Sequence, residues 1–173
     1  MAVSVRQMCP EDARAFLEVH RAAVRGTAAK DYPPEVIETW APLPLSDDLI
    51  QKVRANPDEE LRWVAEIDGK IVGIGALVTK NAEVRACYVS PAAARKGVGS
   101  ALLRKIERVA NKKGLSLLQL DSSITAEPFY KAHGYEVRER SHHVLGSGVR
   151  MACVKMYKAI GSQTSGGSQP SIQ

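Results

Sequence analysis

The spacing of apolar positions changes several times along the chain, and each change marks an element. Residues 2 to 8 roughly alternate apolar with polar and predict a strand. Pro10 then opens a helix: proline suits the first helical position, and Glu11 and Asp12 suit the positive end of the dipole. Ala13, Phe16, Leu17, His20 and Val24 recur at helical spacing, so His20 falls in one apolar face. Tyr32-Pro33-Pro34 breaks the chain. Val36, Ile37 and Trp40 mark a short helix ending near Pro42 and Pro44, and Ser46-Asp47-Asp48 caps a helix carrying Leu49, Ile50 and Val53.

From Leu61 the period shortens to that of strands. Residues 61 to 67 and 71 to 79 are β-prone runs around Asp68-Gly69-Lys70, which predicts a hairpin, and residues 83 to 89 add a third strand of an antiparallel meander. Residues 97 to 113 return to helical spacing, with Val98, Leu102, Ile106, Val109 and Ala110 on one face and Gly114 at the end. Residues 115 to 120 are too short an apolar run for a helix and predict a buried strand. A short helix over 125 to 132 tolerates Pro128 in its first turn and stops at Gly134. Strands over 135 to 142 and 149 to 157 follow, on either side of Gly146-Ser147-Gly148.

These elements fit one domain over residues 1 to 160. The Gly, Ser and Gln stretch from 161 to 173 has almost no apolar content to offset the entropy of ordering, and is expected to be a flexible tail. With 45% apolar and 25% charged residues the chain reads as an ordinary soluble domain, and no apolar run is long enough to span a bilayer. No signal-peptide pattern follows Met1, so a cytoplasmic location is expected. Cys9, Cys87 and Cys153 are widely spaced and read as reduced thiols. No metal site is expected, since His142 and His143 fall on opposite faces of a strand. The net charge of +5 includes one dense basic group, Arg104, Lys105, Arg108, Lys112 and Lys113, on a single helix. That group is either a solvated face or the neighbour of a bound phosphate. It lacks the interleaved aromatics of a nucleic-acid surface, so no nucleic-acid partner and no membrane partner is expected.

The stretch from Tyr88 to Leu103 carries the chemistry: a strand feeds a loop, and Gly97-Val98-Gly99 opens a helix. Glycines there let a ligand approach the backbone, and free amides at a helix start attract phosphate. The spacing is neither that of a P-loop nor that of a Rossmann fingerprint.

With Val89-Ser90-Pro91, Gly97-Val98-Gly99 and the later Pro128-Phe129-Tyr130-Lys131-Ala132-His133-Gly134-Tyr135, the sequence resembles the GNAT superfamily of acyl-CoA N-acyltransferases, over residues 1 to 160 and most specifically 83 to 135. One departure is Ala94, where the family usually has Gln or Arg. The resemblance implies an α+β fold: a central twisted, mixed, mostly antiparallel sheet of about seven strands, helices on both faces, and strands splayed at an acetyl-CoA site. It places the pantetheine arm along Cys87, Tyr88 and Val89, the pyrophosphate on the amides of Arg95, Lys96, Gly97, Val98, Gly99 and Ser100, and Ser123 and Ala126 near the far side of the coenzyme. It also implies a primary-amine acceptor, attack within a ternary complex, and a dimer paired through sheet edges.

Such chemistry needs a base to free the amine and an acid for the leaving thiolate. Glu83 is the candidate base, acting directly or through water, and Tyr130 the candidate acid. His20, Tyr32 and Trp40 are candidate acceptor contacts, though each also reads as a packing residue. A sensor that binds acyl-CoA without turnover is the alternative to an enzyme.

Overall fold

The computed structural model describes residues 2 to 161. All but the first residue of the expected tail lies outside the described residues. The chain runs β1 (Ser4–Gln7), α1 (Ala13–Gly26), α2 (Pro34–Trp40), α3 (Asp47–Ala55), β2 (Leu61–Ile67), β3 (Lys70–Val78), β4 (Glu83–Val89), α4 (Val98–Lys112), β5 (Leu117–Ser123), α5 (Glu127–Ala132), β6 (Glu136–Val144) and β7 (Arg150–Ala159). The strands form one seven-stranded sheet in the order β1-β2-β3-β4-β5-β7-β6. Every pairing is antiparallel except β4 with β5.

Local chemistry explains the boundaries. Asp68 and Gly69 both take positive φ, 51° and 77°, the two-residue turn whose twist suits a hairpin. Ser46 caps α3 by accepting from the Leu49 amide at 3.2 Å. Helix α1 starts three residues later than the proline suggests, because residues Pro10–Asp12 form a tighter 3₁₀ turn. Asp12 holds that turn by accepting from the Cys9 amide at 2.8 Å and from Arg6 at 2.7 Å. Strand β5 runs on to Ser123, past the apolar run that predicts it, because Asp121, Ser122 and Ser123 continue pairing with Lys155, Val154 and Cys153 of β7.

The sheet is covered on both faces. Trp63, Ala65, Leu102 and Ile106 belong to one cluster with α4, while Val64 and Ile74, on the opposite side of the same strands, pack with Phe16 and Val19 of α1. Helix α4 lies unusually close to β3. A Cβ on Gly73 would stand 2.5 Å from Val98 Cγ1, and one on Gly75 3.1 Å from Ile106 Cδ1, so these two glycines set the helix–sheet spacing.

Two irregularities shape the middle of the sheet. On β3, consecutive Ala76 and Leu77 face Ala86 and Val84, leaving Arg85 as an extra residue in β4. This bulge reverses the alternation, so Val84 and Cys87 both join the α4-side core. The second is the parallel seam, where β4 and β5 pair only at Glu83 and Gln119. Beyond that point the strands diverge and leave a V-shaped opening.

Candidate functional site

The V leads to the start of α4. Here the chain takes positive φ twice, 61° at Arg95 and 78° at Gly97. Among the described residues no side chain caps the helix. Among the described residues the amides of Arg95 through Ser100 have no hydrogen-bond acceptor; the first amide of the helix to find one is that of Ala101, on Gly97 O at 3.0 Å. A run of free N–H groups at a helix start favours a negative charge there. Only the Gly97 φ strictly asks for glycine there. Gly99 is favoured by packing instead, since a Cβ would sit 3.1 Å from the Phe129 ring and press on it.

A cavity of about 450 Å³ runs from these amides along the V. Its walls include Val84 to Val89 of β4, Asp121, Ser122 and Ser123 of β5, and Ala126, Phe129 and Tyr130 around α5. The end of α1 and Trp40 close the other side. Of the residues expected at the coenzyme, Cys87, Tyr88, Val89, Arg95, Gly97, Val98, Gly99, Ser100, Ser123 and Ala126 all line this one space, while Lys96 is exposed and off the wall. Ser123 Oγ is already occupied, accepting from the Ala126 amide at 3.1 Å.

Tyr130 is 6% exposed and lines the cavity, and among the described residues its hydroxyl has no hydrogen-bond partner. Burial holds its pKa well above that of a free phenol, with the Cys87 thiol and the Tyr88 and Tyr135 rings adding to the effect. It therefore remains a protonated donor. Burial likewise pushes the Cys87 thiol up to about 12, so this cysteine on the wall is a thiol rather than a nucleophilic thiolate.

Glu83 stands apart. It begins β4 at the closed end of the V and is gripped by Arg85 through two bonds, 3.2 and 3.0 Å. Arg85 also reaches Asp58 at 3.1 Å and Glu60 at 3.3 Å. Glu83 lines a second, polar cleft with Gln119, Arg138 and Lys155, and Asp121 lies on the walls of both cleft and cavity. The alternation of β5 pairs Asp121 in orientation with Gln119 and Ser123, and that pattern is the signal by which sequence reasoning could have found it.

The acceptor candidates separate. Trp40 reaches the cavity wall. His20 lies behind it, edge-on to Tyr88 at 4.8 Å and to Trp40 at 6.1 Å. Its Nδ1 accepts from Arg21 at 2.9 Å, and burial, reinforced by the Arg21 charge, drops its pKa to about 4. Tyr32 is buried, donates to Ala152 O at 2.6 Å and accepts from the Ile124 amide at 2.8 Å, tying α1–α2 to β7 and to the β5–α5 loop. Arg21, 7% exposed, was missed as a buried residue because helical spacing alone places it beside the apolar stripe; it is held by Pro42 O at 3.3 Å.

Residues 28–158 match the family model described as an acetyltransferase (GNAT) domain. The protein named uncharacterized N-acetyltransferase YafP, from Escherichia coli strain K12, is 30% identical over 134 residues, 78% of this chain and 81% of its own length. A spermidine N(1)-acetyltransferase of Thermoplasma acidophilum is 26% identical over 147 residues, 80% of this chain and 91% of its own. Among solved structures, a GCN5-related N-acetyltransferase from Rhodopseudomonas palustris superposes with a TM-score of 0.82 at 28% identity, covering 92% of this chain and 98% of that one. The PaiA N-acetyltransferase of Thermoplasma acidophilum, solved in complex with coenzyme A, superposes at 0.71 and 24% identity over 92% and 99%. A strand pair that parts after a single parallel register pair, an uncapped helix start and a domain match over most of the length agree: the chain belongs to the GNAT acetyltransferase family.

Proposed function

We propose that this acetyltransferase carries an acetyl group from acetyl-CoA to a primary amine by direct attack within a ternary complex. The observation that carries the reading is the continuity of one cavity from the free amides of Arg95 to Ser100 to the unpartnered hydroxyl of Tyr130. The amides take the pyrophosphate. The edge of β4 at Cys87 to Val89, unpaired beyond the seam, takes the amide groups of the pantetheine arm. Ala94 is no obstacle, because the anion contacts come from backbone.

The amine attacks the thioester carbon, the C–S bond breaks as the tetrahedral intermediate collapses, and Tyr130 donates its phenolic proton toward the departing sulfur. A protonated Cys87 argues against an acetyl-cysteine intermediate, which supports direct transfer. Glu83 serves as base through water rather than by contact, since it lies on the polar cleft and not on the cavity wall; Asp121, on both, stands on that proton path. Trp40 contributes to the acceptor wall, with His20 and Tyr32 supporting it from behind. Spermidine, the acceptor in the name of one relative, is a first amine to try.

The test is thiol release from acetyl-CoA across a panel of polyamines, amino acids and peptide N-termini, alongside calorimetric binding of CoA. Amine-dependent release supports the enzyme reading. Tight CoA binding with no release from any amine favours a sensor, and no binding removes the reading.

A further inference from the structure

One polar pair beside the proposed coenzyme site remains unused. Ser100 Oγ lies 2.8 Å from His133 Nε2, and His133 Nδ1 lies 2.8 Å from Phe129 O. A carbonyl only accepts, so Nδ1 carries a hydrogen in either charge state. In the neutral ring Nε2 is then a bare acceptor, and it takes the single proton of the Ser100 hydroxyl. In the cation Nε2–H donates, Ser100 Oγ accepts, and the hydroxyl proton is free to turn toward an anion at the neighbouring amides.

We propose that His133 is a positioning residue for the coenzyme phosphates: it takes up one proton from solvent as the coenzyme binds and so converts the Ser100 hydroxyl from a donor to the imidazole into a donor to phosphate. This rests on the coenzyme reading of the amide loop. Ser100 lies on the cavity wall, while the half-buried imidazole sits behind it, tilted against the Phe129 ring with centroids 4.4 Å apart, so it acts through Ser100. The carboxylates of the surrounding elements are committed elsewhere. Glu107 of α4 binds Lys158 of β7 and Tyr135, and Glu127 of α5 binds Arg140 and Lys131. Arg95, Lys96 and Arg104 are the remaining charges on the loop and the start of α4, and none bonds the ring. The anion that draws a proton onto His133 is therefore the ligand phosphate. Because α5 also carries Tyr130, the same link ties phosphate binding to the position of the acid.

The experiment is calorimetric titration of the full chain with dephospho-CoA, which lacks the monoester phosphate that itself titrates near pH 6, in two buffers of different ionisation enthalpy. Wild type is expected to take up a fraction of a proton per coenzyme near pH 7, with the dissociation constant falling about 3- to 10-fold from pH ~8 to ~6. Ser100→Ala and His133→Asn should still bind through the backbone amides but without proton uptake or that pH dependence. Should one variant fail to fold, the other carries the test. Wild-type binding with no proton uptake, or uptake unchanged in a folded variant, overturns the proposal and leaves the coenzyme reading standing; failure of wild type to bind either CoA or dephospho-CoA overturns the coenzyme reading itself.

Discussion

Gly99 of α4 and Phe129 of α5 approach so closely that a methyl group on Gly99 would stand 3.1 Å from Cε2 and 3.2 Å from Cζ of the ring. The contact joins the glycine turn at the start of α4 to the short helix that carries Tyr130. In Gly99→Ala the ring must yield by a few tenths of an ångström, while alanine improves helix propensity by up to about 1 kcal/mol. Thermal stability should stay within ~1 kcal/mol of wild type, with kcat/KM for acetyl-CoA clearly lowered. A drop in melting temperature matching the drop in rate would mean the contact is only structural.

Tyr130→Phe removes a hydroxyl that has no partner among the described residues, so unfolding in urea should change by less than about 0.5 kcal/mol. Turnover should fall about 10²- to 10⁴-fold, the usual range for loss of a positioned acid, with CoA affinity little changed. Equal losses of binding and turnover would remove it from the chemistry.

Tyr32→Phe is expected to behave in the opposite way. It strands the Ile124 amide and the Ala152 carbonyl, at a cost of about 1–3 kcal/mol in denaturant midpoint experiments. Stability comparable to wild type would show that water replaces both bonds.

His20 supplies a pH prediction. Its pKa is lowered from 6.5 to about 4 by burial, so between those values the unfolded chain binds the proton and the native one does not. Its contribution is fully present above about pH 6.5, declines as pH falls through the window, and is lost by about pH 4, amounting to roughly 3 kcal/mol at most. In His20→Gln the loss of stability between pH ~7 and ~4.5 should be shallower. The same slope in both proteins would mean other groups govern acid sensitivity.

The meander and α4 were legible because they rest on short-range signals: the Asp68-Gly69 turn, the apolar face from Val98 to Ala110, and the glycines that bound the helix. The glycine turn that opens α4 was legible for the same reason. What escaped depends on contacts distant in sequence. Nothing near Arg21 shows that it will be buried under Pro42, and nothing near Glu83 shows that Arg85 will be a bulge residue whose guanidinium holds it together with Asp58 and Glu60. The Ser100–His133 bond likewise joins two motifs that are each readable alone, but their juxtaposition follows only from the docking of α5 on α4.

The single parallel register pair at Glu83 and Gln119 bears on solubility as well as on the site. Open strand edges invite neighbouring chains to add to them, and proteins usually guard such edges at the rim of the sheet. Here two of them face each other in the interior, under the roof that Tyr32 fastens to Ile124 and Ala152. The molecule thus keeps an adhesive surface turned toward its own cavity and away from neighbouring chains; loosening that roof should turn the groove into a seed for aggregation.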